Sequence, residues 1–179
     1  IGDFFYAPPT GFLALCSSNL PDPTIGPQTS TQADDNFNPT LYTANNQTAQ
    51  NIDTVGFQPD WLWIKQRSRS DAHSFYDSSR GIGPILRGNS DSEYSNSTEV
   101  TSFRSLGFAV GTATNAWTNY QSDTLVAWAW KANGGTTTSH SSGDNSANHA
   151  SVSQANQTAG FSIVTYTGDV SGNPTKMNH

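Results

Sequence analysis

The chain has 179 residues, which suits one domain of ordinary size with parts of its neighbours. Only 12% of the residues are charged, while five Trp, nine Phe and six Tyr bring aromatics to 11%; a charge-driven disordered chain is excluded and a small, aromatic-rich core is expected. The net charge of −6, with eight Lys and Arg in all, argues against nucleic acid as a partner; no run approaches the roughly 18 apolar residues of a membrane-spanning helix, and the lone Cys16 excludes an internal disulfide or a Cys-rich zinc set.

The chain opens on Ile1 and stops at His179 where it still reads as structured, so it is expected to be a piece of a longer protein. Residues 1–15 carry GDFFYAPPTGFLAL, two apolar clusters split by Pro8, Pro9 and Gly11, and are expected to close a preceding β-sandwich domain. Residues 16–36, with Pro21, Pro23 and Pro27 among polar residues, read as an extended linker.

Residues 37–132 form the main expected domain, because short apolar runs alternate with turn residues at the spacing of a β-sandwich. The first strand is Phe37 to Thr43. Gly56, Pro59 and Asp60 then lead into Trp61 to Lys65, where Trp61 and Trp63 share one face and Leu62 and Ile64 the other. HSFYDSSRG follows, then a polar stretch from Asn89 to Glu99, then TSFRSLGFAVG, in which Gly107 and Gly111 bracket a short strand. The last strand, Thr124 to Lys131, sets Val126, Trp128 and Trp130 on one face against Leu125, Ala127 and Ala129, and the small residues predict close backbone approach behind it. Trp61, Trp63, Trp128 and Trp130 are assigned to the core.

Residues 133–157, rich in Gly, Ser, Thr and Asn, read as a second linker without enough apolar surface to order itself. Residues 158–179 restart a strand, and Phe161, Tyr166 and Thr167 repeat the spacing of Phe37, Tyr42 and Thr43, so a second repeat is expected to begin there. Apolar residues never recur at helical spacing for more than one turn, and the fold class is all-β: an antiparallel, jelly-roll-like β-sandwich with polar linkers.

No catalytic constellation emerges. Asp77, Arg80 and Asp123 are the charged residues from which a glycosidase-type pair would be built, but the preferred reading is that Arg80 ties a turn to a neighbouring strand through a carboxylate. His73, His140, His149 and His179 lie far apart without carboxylates at ligand spacing, and no GxSxG elbow accompanies the serines; neither a metal nor a cofactor is expected. Trp117 and Tyr120, in the turn-rich WTNYQ segment, are the candidate ligand-stacking residues, with structural packing as the competing reading. Asn46, Asn96 and Asn156 stand in Asn-x-Ser/Thr sequences and are candidate glycosylation sites, although a chain this rich in Asn, Ser and Thr produces several by chance.

Taken in order, NFNPTLYT, GFQPDWLWIK, FYDSSRG, TSFRSLGFAVG and VAWAWKA resemble a repeated domain of large structural proteins of tailed phages from marine and fresh water. In that family FYAPPTGFLAL resembles the end of a preceding SPRY-like, lectin-like sandwich, and a second copy follows a polar linker. The resemblance implies a non-enzymatic module of a phage fibre or virion surface appendage, with copies of itself and other virion proteins as partners and no nucleic acid or membrane insertion. Two alternatives stand beside it: a carbohydrate-binding module that recognises host surface glycans, and a subunit of a glycosylated bacterial extracellular filament.

Overall fold

The computed structural model describes residues 30–45, 49–112, 117–143, 147–168 and 176–177. The expected end of a preceding domain (1–15), Cys16, most of the first linker, Asn46 and His179 lie outside the described residues.

The described chain is all-β, with twelve strands in three antiparallel sheets. The strands are β1 (Phe37–Thr43), β2 (Gln50–Ile52), β3 (Trp61–Gln66), β4 (Ser74–Asp77), β5 (Pro84–Arg87), β6 (Tyr94–Ser95), β7 (Val100–Arg104), β8 (Gly107–Val110), β9 (Thr124–Trp130), β10 (Thr138–His140), β11 (Ser151–Asn156) and β12 (Phe161–Tyr166). The large sheet has the order β1-β9-β3-β4-β5-β6, so the first strand pairs with the last long strand of the main domain and closes it. The sheet β2-β8-β7 supplies the second layer of the sandwich, and β10-β11-β12 forms a separate meander.

Alternation along the long strands builds the core. Tyr42 of β1, Leu62 and Ile64 of β3, Tyr76 of β4, Ile85 of β5 and Leu125, Ala127 and Ala129 of β9 join Ile52, Val100, Phe108 and Val110 of the second layer in one buried cluster. Burying each large side chain contributes roughly 1.5–3 kcal/mol. Val55 and Phe57 enter the same cluster from the segment between β2 and β3. That segment is held over β1 by Asn38 Nδ2 donating to the Val55 carbonyl at 3.0 Å and by a Thr40–Thr54 hydroxyl pair at 2.5 Å. Gly107 is required where β8 begins, since a Cβ there would lie 1.8 Å from the Ile52 carbonyl oxygen.

Two expectations are corrected. The end of the first linker is folded: Ala33–Asp35 form a single 3-10 turn, and the buried Asn36 accepts from the Lys131 N–H through its carbonyl at 2.9 Å. Residues 133–157 are not an unstructured linker either, because they contain β10 and β11, and β11 pairs with β12 along its whole length. The composition lacks apolar bulk, but order here comes from sheet hydrogen bonds and from a buried amide. Gln154 is 2% exposed; its Nε2 donates to the Ser78 and Ser79 hydroxyls at 2.8 and 2.7 Å, and its Oε1 accepts the Gly135 N–H at 3.1 Å.

Candidate functional site

The large sheet has two unlike faces. The inner one is the core just described. On the outer one the strand registers align three rows of side chains: Phe37, Trp130, Trp61 and the buried Asp77; then Pro39, Trp128, Trp63, Phe75 and Leu86; then Leu41, Val126 and Lys65. Cross-strand neighbours on one face of a sheet touch, and these rings do so. Trp63 lies 4.9 Å from Trp128 and 5.5 Å from Phe75 between ring centroids, and Phe37 lies 4.7 Å from Trp130. Phe161 of β12 stacks on Trp130 at 6.2 Å, so one edge of the face meets the meander. The remaining rows stay open to solvent, with Leu41 63% and Leu86 40% exposed.

The assignment of the four tryptophans to the core is therefore corrected: Trp61, Trp63, Trp128 and Trp130 are half-buried on the outer face, while the small Ala127 and Ala129 face inward. On the inner side Ala127 and Ala129 are completely buried in the cluster that Val55, Phe57 and Phe108 also enter. The face is also poor in charge. Its cation, Lys65, turns its ammonium onto the backbone carbonyls of Gln66 and Arg69, and the Trp63 indole N–H donates to His73 Nδ1 at 2.7 Å.

The two sequence candidates for ligand stacking are not on this face. Trp117 is half-buried under the Arg87 guanidinium, whose carbon is 3.6 Å from the ring centroid; the same guanidinium lies 5.5 Å from Tyr94. Tyr120 lies under Arg69 at 4.8 Å. The loop between them is pegged from below: buried Asn119 accepts the Asn45 N–H at 2.9 Å and donates to the Gly111 carbonyl at 2.9 Å, and Tyr42 donates its hydroxyl to the Thr118 carbonyl at 2.9 Å. Both rings thus already hold a cation–π partner from their own chain.

Asp77, Arg80 and Asp123 do not converge. Arg80 Nε bonds Asp77 at 2.7 Å, its Nη1 bonds Glu93 at 2.7 Å, and its N–H donates to Asp77 Oδ1 at 2.9 Å, the turn-tying arrangement read from the sequence. Asp123 sits before the first residue of β9 and accepts from Gln66 Nε2 at 3.1 Å and the Ser68 hydroxyl at 2.7 Å. Asp77 is level with Trp130 at the other end of that strand. At about 3.3 Å per residue the two carboxylates stand roughly 20 Å apart, beyond the roughly 5–10 Å across which a glycosidase pair works.

The Asn96 and Asn156 amides are engaged. Asn156 Nδ2 donates to Asn36 Oδ1 at 2.7 Å, and Asn96 Oδ1 accepts both the N–H and the hydroxyl of Thr98, at 2.9 and 2.7 Å. Of the histidines, His73 partners Trp63, His140 Nε2 is 2.8 Å from the Ser153 hydroxyl, and His149 Nδ1 is 2.9 Å from Asn148 Oδ1. Among the described residues no three His, Cys, Asp or Glu side chains form a group that would hold a metal.

Two buried polar centres escaped the sequence reading. Asp60 is fully buried, and its carboxylate accepts four donors: the N–H groups of Ala132 and Gly134 at 2.7 and 2.9 Å on one oxygen, and the Gly135 N–H and Ser78 hydroxyl at 2.8 and 2.6 Å on the other. Gly134 and Gly135, at φ of +62° and +80°, adopt the left-handed backbone this nest needs. Arg87 and Glu99 form a buried ion pair at 2.8 Å, completed by the Ser74 hydroxyl at 2.5 Å from Arg87 and by the Tyr76 hydroxyl on Glu99. Burial, with the Glu99 charge adding to it, pushes the Tyr42 and Tyr76 phenols well above their ordinary range. A short DWLWIK or a lone Glu99 in sequence carries no mark of such partners.

Two open clefts flank the meander. One of about 380 Å³ lies between Phe37, Trp130 and Phe161, with Asn36 and Gly160 on its rim. The other, of about 430 Å³, is lined by Ser139, His140, Val152, Thr165 and Tyr166.

A family model described as a domain of unknown function, DUF7483, matches residues 32–179, and the chain belongs to that family. The match runs through the main sandwich and the meander without a break. No curated protein matches the chain, and no solved structure does.

Proposed function

We propose that this family member is a non-catalytic structural module of a phage fibre or virion surface appendage that assembles with copies of itself. The observation that carries the assembly part is the outer face of the large sheet, where rows of Trp, Phe, Leu, Val and Pro lie side by side and, beyond the edge that Phe161 meets at Trp130, leave Leu41 and Leu86 exposed. A contiguous apolar face of this kind marks an interaction surface. The phage setting rests on the ordered motifs that resemble virion structural domains. Cryo-electron microscopy of the native source tests the reading: an ordered multi-copy array containing this chain is expected, and a solitary, flexibly tethered domain in the same particles would overturn it.

A carbohydrate-binding module is the second reading, favoured by the half-exposed indole row of Trp63 and Trp128, since aromatic faces stack on sugar rings. It moves the candidate platform from Trp117 and Tyr120, already covered by arginines, to the sheet face. Glycan-array binding lost in Trp128→Ala and kept in Trp117→Ala supports it; an array without hits removes it. The glycosylated-filament reading places its glycans on the Ser and Thr residues of the linkers, and no contact among the described residues favours it. Mass spectrometry of the linker peptides decides it.

A further inference from the structure

We infer that Asn133 is a site of spontaneous deamidation that the buried Asp60 carboxylate holds in check, and that its conversion unfastens the β10-β11-β12 meander from the sandwich. The site is the turn that follows β9, apart from the outer face of the sheet.

Asn133 is the only asparagine of the 179-residue chain that is followed by a glycine. Gly134 has no Cβ to keep its nitrogen from the Asn133 side chain, and Asn133 is exposed to water. The reaction needs these two residues and water. The Gly134 nitrogen loses its proton to solvent hydroxide and attacks the Asn133 side-chain carbon. The new C–N bond closes a succinimide ring, the bond to Nδ2 breaks, and ammonia leaves with a proton returned from water. A second water opens the ring at one of its two carbonyls. One opening leaves an aspartyl residue; the other leaves an isoaspartyl residue, whose main chain runs through the former side-chain carbon and is longer by one atom.

In the folded chain both reacting groups are held. The Gly134 N–H donates to Asp60 at 2.9 Å, and Asn133 Nδ2 donates to the Thr136 carbonyl at 3.1 Å, across a turn closed by the Thr136 N–H on the Asn133 carbonyl at 3.0 Å. Both side-chain bonds must open before attack, and the buried charge of Asp60 opposes the negative charge of a deprotonated Gly134 nitrogen. The same turn fastens the meander. Asp60 takes the N–H groups of Ala132 and Gly134 on one oxygen and that of Gly135 on the other, while Gln154 Oε1 of β11 takes the N–H groups of Asn133 and Gly135 at 3.3 and 3.1 Å. A main chain lengthened at Asn133 cannot keep these donors in register with both acceptors. Asp60 and Gln154 are buried, so bulk water does not replace the donors they lose.

The test ages the full 179-residue chain in mildly alkaline buffer, folded and in urea, and follows Asn133 by peptide mass and by separation of aspartyl from isoaspartyl peptides. In urea Asn133 is expected to convert ahead of every other asparagine, and in the folded chain at least about tenfold more slowly than in urea. Folded Asp60→Asn, checked by circular dichroism, is expected to convert Asn133 faster than the wild-type chain and to leave Asn89 at its rate, since the registers of β3, β4 and β5 put that exposed asparagine at the far end of the sheet from Asp60. Should Asp60→Asn not fold, Ser78→Ala, which removes a donor from Asp60 and an acceptor from Gln154, takes its place with the same direction expected. Unfastening is read by brief trypsin treatment. Cleavage after the exposed Lys131, just before the turn, is expected to rise with isoaspartyl content, and not in Asn133→Gln aged alongside, whose longer side chain does not close the five-membered ring. Equal Asn133 rates in the folded chain and in urea, or another asparagine converting first in urea, overturn the site. An unchanged Asn133 rate in the folded variant overturns the role of Asp60, and conversion without added cleavage after Lys131 overturns the unfastening.

Discussion

The two faces of the large sheet are built from the same strands and almost the same number of apolar positions, yet they hold their residues in different ways. Along β9, Leu125, Ala127 and Ala129 are completely buried, while Val126, Trp128 and Trp130 between them remain half-exposed. The inner face is sealed because the β2-β8-β7 layer and the Val55–Phe57 segment fill the space opposite it. Among the described residues the outer face is covered by its own rings together with Phe161 on Trp130 and His73 on Trp63, and its indoles stay half-exposed. Residue size therefore does not report which face is the core. What covers the strand does: Ala127 and Ala129 are sealed in the inner cluster, while the larger indoles lie on the less covered side.

The largest expected break in this comparison lies beneath the inner face. Arg87→Met leaves Glu99 buried without its cation and is expected to cost about 3–5 kcal/mol, read from urea unfolding midpoints. Next comes a matched pair. Leu62→Ala in the core is expected to cost about 2–5 kcal/mol, whereas Leu41→Ala on the outer face changes stability by no more than about 0.5 kcal/mol when measured on the monomer at low concentration. Equal costs would erase the distinction drawn between the faces.

Alkaline pH probes the same inner side more gently. Tyr42 and Tyr76 have folded-state values above the ordinary phenol value of about 10. Their contribution is fully present below that value and is lost above it, as phenols ionise in the unfolded chain while the folded ones stay protonated. Melting midpoints are expected to fall above about pH 10, and Tyr42→Phe to make that fall shallower. The smallest effect belongs to the exposed pair of Arg104 and Asp53, whose hydrogen bonds of 2.9 and 3.2 Å hold the Asp53 carboxyl below its usual range. Its contribution exists above the ordinary carboxylate range and is lost as pH falls. Solvent screens it, so Asp53→Asn at neutral pH is expected to leave the melting midpoint within error.

The strands legible in sequence were those long enough to alternate. β1, β3 and β9 declared their two faces through Phe37 to Thr43, Trp61 to Lys65 and Thr124 to Lys131, and β8 was bracketed by Gly107 and Gly111. β2, β5, β6, β10 and β11 were not legible, because they are two to six residues long or polar, and their pairing depends on what a distant segment offers. The candidate face was legible only strand by strand, as Trp61 with Trp63 and Trp128 with Trp130; the pairing of β3 with β9 joins them, on the outer side and not in the core. Asp60, Glu99 and Gln154 could not be recognised: most of their hydrogen-bond partners lie twelve to seventy-six residues away.

What the sequence determined by itself was the class and the alternation. Local sterics send successive side chains of a strand to opposite sides, and short apolar runs between turn residues leave little but β structure. What only the tertiary structure decided was which side is inside, that residues 138–140 and 151–156 join a sheet, and which carboxylates are sealed away with their partners. Those outcomes depend on the space and the hydrogen-bond donors that remote segments bring to each residue, and no stretch of neighbouring sequence carries that information.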